Sequence, residues 1–138
     1  MADPNLGIEK AKDTVKKCIY EYGFYDCKLN RAQNNFYIDD SRFPLSIIEE
    51  IAKTGKVLAI HVGADAYERT HLFTFRVGKI GKFFPEIQIL MVHMGGASFQ
   101  GLSNAAIEVA QDNKNINLIE SAIRSIPILK VIKTLGAS

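Results

Sequence analysis

The sequence predicts an α/β fold built from parallel βα units. Three observations point there. Segments with apolar residues three and four apart alternate with short apolar runs, in the order α-β-α-β-α-β-α-β-α. Successive strands begin roughly 30 residues apart, the length of one βα unit. The run Val57-Leu-Ala-Ile60 is apolar on both faces, as a buried parallel strand is. Right-handed crossovers then place four strands in one sheet. Two architectures satisfy this pattern. One is a small doubly wound sheet with helices on both faces. The other is a piece of a (β/α)8 barrel, with helices on one face only. A full barrel takes about 250 residues, and this chain has 138.

Each element has its own signal. Residues 8–22 predict a helix, because Ile8, Ala11, Val15, Cys18, Ile19 and Tyr22 recur at helical spacing. Asp3-Pro4-Asn5 can start it and Gly23 can end it. Residues 24–29 predict the first strand, and the polar and aromatic stretch 31–40 reads as a loop. Phe43-Pro44 opens a second helix, with Leu45, Ile48, Ile51 and Ala52 on one face and Gly55 as its stop. Residues 56–62 form the second strand and 63–70 a loop. A third helix runs over 72–83, with Pro85 beyond it, and 87–92 is the third strand. The fourth helix, 101–111, carries Leu102, Ala105, Ala106 and Val109. Asn113-Lys114-Asn115 is a turn before the fourth strand, 116–119. The last helix spans 127–135 and stops at Gly136. No linker or low-complexity segment divides residues 1–138, so a single domain is expected.

Composition excludes several classes. The chain is 47% hydrophobic and 23% charged, which is ordinary for a globular protein and not for a disordered one. The net charge of +2 comes with scattered lysines, so no nucleic-acid surface is expected. No apolar run approaches the ~20 residues of a membrane span. The N-terminus lacks an apolar signal core, so a cytoplasmic protein is expected. Cys18 and Cys27 form no disulfide framework and read as reduced thiols.

Chemistry concentrates at the strand ends. The first strand reaches Lys28 and Asn30, and the second reaches His61 and Gly63. The third reaches His93, Gly95 and Gly96, and the fourth reaches Glu120 and Ser121. Parallel strands bring their C-terminal ends to one rim, so these groups are expected to converge. Two histidines on neighbouring strands, with a lysine and a glutamate nearby, suit a metal or acid–base site. Each residue also has a structural reading. A histidine in an apolar run is often a hydrogen-bonded core residue, and Lys28 can extend its ammonium to solvent. Glu120, Asp65 and Glu68 read as solvated charges, and His71 as a surface residue. Gly95-Gly96 gives freedom for positive φ and close backbone approach.

These segments resemble a known family, the metal-dependent hydrolases and decarboxylases of the amidohydrolase-related family. "DPN" before a helix resembles the end of that family's third barrel strand, and "GFYDCKLN" its fourth. "KVLAIHVG" resembles the fifth strand, "FPEIQILMVHMGG" the sixth and "NINLIESA" the seventh. The match covers nearly the whole chain, and the fifth- and sixth-strand motifs together are its most specific part. Two family features are missing. There is no His-x-His pair, and no Asp motif of an eighth strand follows. The resemblance thus implies strands four to seven of a (β/α)8 barrel, with about four strands and five helices.

It also implies roles. His61 matches the metal-ligating histidine of the fifth strand. His93 matches the sixth-strand histidine that positions or activates the water, or serves as a second ligand. Lys28 is expected to contact substrate or to act structurally. Asn30, Gly95, Gly96 and Glu120 are expected to contact substrate or support the ligands. The implied cofactor is a divalent metal, zinc before manganese or iron, and the short ligand set leaves open whether this chain holds one. The implied substrate is a small molecule, attacked by metal-activated water or decarboxylated. Whether the chain is itself an enzyme is left open. The alternatives are an inactive α/β fragment or binding module, or a doubly wound domain. Half a barrel would expose an apolar inner face, including residues among Val57, Ala59, Leu90, Val92, Ile116 and Leu118. A homo-oligomer or a missing barrel half is therefore expected to cover it.

Overall fold

The computed structural model describes residues 3, 6–41, 44–62, 71–95, 100–121 and 125–136. The elements are α1 (Ile8–Lys16, continued by a π-helical turn Lys17–Glu21), β1 (Asp26–Asn30), α2 (Arg31–Asn34), α3 (Pro44–Thr54), β2 (Val57–His61), α4 (His71–Phe83), β3 (Ile89–Val92), α5 (Gln100–Asp112), β4 (Ile116–Ile119) and α6 (Ser125–Leu135). A single 3-10 turn, His93–Gly95, follows β3. The four strands form one parallel sheet in the order β1-β2-β3-β4. The α/β class and the parallel βα units are as expected, with five longer helices and one short one among the described residues.

Register decides which side chains share a face. Cys27, Leu58, Ile89 and Ile116 form one row, and Leu29, Ile60, Met91 and Leu118 the next. These two rows enter the core with Ala11, Val15, Ile47, Ile48, Ile51, Val77, Ile80 and Val109 from the helices. The opposite face carries the rows Lys28, Ala59, Leu90, Asn117 and Asn30, His61, Val92, Ile119. None of those eight residues belongs to the core shared with the helices. The helices therefore cover one face, the layering of a barrel segment rather than of a doubly wound sheet.

Several boundaries differ from expectation. Ile116 and Leu118 point to the helices, so they do not belong to the open face. Residues 31–34 form a helical turn where a loop was expected, because Asn30 caps it by accepting from Gln33 N at 3.4 Å. The first helix widens into a π turn near its end. Tyr22 N donates to Lys17 O at 3.1 Å, five residues back. That extra residue rotates Tyr22 off the buried stripe, leaving it 59% exposed. Nor is the open face a large exposed apolar patch. Ala59 is buried, and Leu90, Val92 and Ile119 are half-buried. The exposed large apolar side chains lie elsewhere, mostly between the end of α1 and β1, on α4 and on α6.

Two glycines bring α4 close to its neighbours. A Cβ on Gly81 would sit 2.8 Å from Ile116 Cδ1, and one on Gly78 would sit 3.1 Å from Val109 Cγ1. The turn before β4 is then held by Asn115, whose Nδ2 donates to the carbonyls of Gly81, Phe84 and Ile87 at 3.0–3.1 Å. These contacts fix where β4 starts, and hence where its far end meets the rim.

Candidate functional site at the strand ends

β2 delivers His61 as its last residue, buried and level with Asn30 of β1 and Val92 of β3. His93 follows Val92 immediately and is half-buried. The two imidazoles stand edge to face, with ring centroids 4.8 Å apart and planes at 84°. The expected convergence of these two residues is therefore present in the fold.

His93 reaches this position through an unusual backbone. It has φ 61° and Met94 has φ 43°, both left-handed. Such conformations cost on the order of 1 kcal/mol for a non-glycine residue. The sequence had suggested that the glycines would supply this freedom, yet the left-handed turn begins before them. Met94 is 1% exposed, so packing anchors the turn. A hydrogen bond anchors the ring as well. His93 Nδ1 lies 2.8 Å from Ser121 O and 3.0 Å from Ser121 Oγ. A carbonyl oxygen only accepts, so Nδ1 carries the hydrogen and donates to it. In the neutral ring Nε2 then bears the lone pair, which suits a metal ligand or a proton acceptor. Ser121 stands at the end of the fourth strand, and only the fold assigns it to His93.

The other expected residues are distributed differently. Lys28 lies one row below Asn30 on the open face and is half-buried. Asn30 is buried, and its side chain caps α2. Gly95 closes the 3-10 turn after His93. Glu120 is exposed and lines a cleft between β4 and α6. Gly63, Asp65, Glu68 and Gly96 lie outside the described residues, and His71 opens α4.

Beside the rim, the segment after β1 is bound to α4 through arginines. Arg31 Nε donates to Phe36 O at 3.0 Å, and its guanidinium lies over Tyr37 and Phe73. Arg76 stacks on Tyr37 from α4 and pairs with Asp39, which also attracts Lys79 at 3.6 Å. Sequence reading missed this cluster, since 31–40 carries no periodic signal.

No family model matches the chain, and no curated protein and no solved structure matches it significantly. The donor set can be tested against a metal directly. His61 and His93 offer two imidazoles, whereas zinc takes three or four protein ligands. Among the described residues, no group of three or more His, Cys, Asp or Glu side chains is placed to hold a metal ion. The pair thus fits part of a metal's shell. Among the described residues no helix is long and apolar enough to cross a membrane.

Proposed function

We propose that this chain is a half-barrel of the metal-dependent amidohydrolase type, and that His61 and His93 form its half of a site acting on a small molecule. The observation that carries this reading is the perpendicular pair of imidazoles at the ends of adjacent parallel strands, on a sheet covered by helices on one side only. His61 and His93 would hold a divalent ion, zinc before manganese or iron, with further donors from outside the described residues. Such an ion supplies Lewis acidity, polarising the scissile group and acidifying water.

The chain's own residues do the rest. Ser121 holds His93 in the tautomer that leaves Nε2 able to accept a proton. Lys28, on the same face as His61, offers a positive charge to an anionic substrate group. Hydrolysis of an amide or ester and decarboxylation of an unsaturated acid both suit these parts. The whole site requires more donors than two histidines, so little turnover is expected from the isolated chain.

Metal analysis of the purified chain tests this reading. Zinc or manganese bound at a defined stoichiometry, and lost in His61→Ala, supports it. An absence of metal binding and of turnover after metal addition favours the second reading, an inactive α/β module. That reading draws its support from the two-donor count.

A further inference from the structure

The two edges of the sheet are not alike. β1 carries Asp26 and Lys28, charges of the kind that blunt an edge against further pairing. β4 carries none in Ile116–Ile119, and among the described residues no strand lies beyond it. Its register shows which backbone groups are left over. Asn115 O accepts from Ile89 N at 2.8 Å, so the backbone of Asn115, Asn117 and Ile119 faces β3. The alternate residues face outward. Ile116 N is already used, donating to Asn113 O at 3.0 Å. Ile116 O and the N–H and C=O of Leu118 therefore lie along the open edge.

A helix stands beside this edge. α6 and β4 form the walls of a cleft lined in part by Lys114, Ile116, Leu118, Glu120, Ile132 and Leu135. α6 exposes Leu129, Ile132 and Leu135, each three residues from the last and so on one side of the helix. Lys130 is engaged elsewhere, since its Nζ donates to Asn104 Oδ1 of α5 at 2.7 Å. Charge is arranged symmetrically along the edge. Exposed Lys114 precedes β4 and exposed Glu120 follows it, three residues to either side of Asn117.

We propose that two copies join edge to edge, β4 against β4, about a two-fold axis through Asn117 perpendicular to the sheet. The two strands then run antiparallel, and their own groups select the register. Ile116 lies opposite Leu118 of the second copy, so Leu118 N donates to Ile116 O in both directions. Lys114 lies opposite Glu120 of the second copy, and Glu120 opposite its Lys114. Moving the axis by one residue loses both ion pairs. The rotation keeps all helices on one face, so the apolar stripes of the two α6 helices meet above the seam. One symmetry operation thus covers the open edge, the opposed charges and the exposed stripe. It also sets the two His61–His93 pairs at opposite ends of the joined sheet. The contact lends neither site a donor, and it stands or falls separately from the function proposed above.

Sedimentation across the micromolar range tests it. The chain is expected to approach twice its 15.4 kDa mass reversibly. Lys114→Glu and Glu120→Lys, both at exposed positions, set like charges against each other twice per dimer. Each should weaken association roughly tenfold, with unchanged circular dichroism. An equimolar mixture of the two variants should restore it, because the reversed charges then face opposite ones. Asn117→Cys, in a Cys18→Ser background, should form a disulfide between copies on mild oxidation, since the position faces itself across the axis. The amide of Leu118 should exchange more slowly as concentration rises, because β4 is a terminal strand only in the free chain. A chain that stays monomeric throughout overturns the proposal. So does a dimer indifferent to both charge reversals, or a mixture that fails to associate. A dimer left unlinked by Asn117→Cys overturns it too, the result expected if β4 instead paired in parallel within a barrel.

Discussion

At the scale of single residues, His93 is held by three constraints: a left-handed backbone, the buried Met94 behind it, and a hydrogen bond to Ser121. The carbonyl at 2.8 Å is the shorter of the two contacts, and Ser121→Ala removes only the hydroxyl at 3.0 Å. We therefore expect His93 in Ser121→Ala to keep its hydrogen on Nδ1, as read by long-range nitrogen–proton NMR correlations. An Nε2–H ring would show that the hydroxyl sets the tautomer. Asn115 makes a comparable claim on stability. Its amide has two hydrogens for three carbonyls and is 8% exposed. Asn115→Ala should cost about 2 kcal/mol, because buried carbonyls lose their donor. A urea midpoint unchanged from the parent would refute that assignment.

At the scale of elements, the sheet and its long helices were legible in the sequence because their apolar spacing is local information. Strand-end histidines were legible for the same reason, since a parallel sheet levels its C-terminal ends. The bond from His93 to Ser121, a residue the sequence already put at the rim, and the Arg31–Tyr37–Arg76 cluster were not, because their contacts join residues 28 or more apart in the chain or lie in a stretch without period. Tyr22 was misplaced because a π turn has no distinct apolar signature. The fit of α4 to β4 is likewise invisible before folding. Gly81→Ala gains about 1 kcal/mol of helix propensity but drives a Cβ towards the buried Ile116. Overpacking costs about 1–3 kcal/mol, so the net effect should be destabilising. With Ile116→Val the obstructing Cδ1 is gone, and the same substitution should turn stabilising by roughly 0.5 kcal/mol. A double-mutant cycle showing simple additivity would remove the contact from the account.

At the scale of the whole molecule, one-sided helical cover sets the problem that the function must solve. On the open face Ala59 is buried, and Leu90, Val92 and Ile119 are half-buried. On the proposed metal-dependent reading, the described residues offer two imidazoles, and further donors would have to come from elsewhere.

The sheet order β1-β2-β3-β4 has a kinetic consequence. Every strand pairs only with its neighbours in sequence, so the protein is close to a one-dimensional array of coupled units. Such an array unravels from its ends. Amide hydrogens of β2 and β3 should outlast those of β1 and β4 in exchange experiments, by a margin that grows as urea is lowered. A uniform exchange rate across all four strands would mean that the molecule opens in one piece. On the expected gradient, His61 sits within the slowest unit and His93 at its border, so the imidazole pair would be among the last features to dissolve.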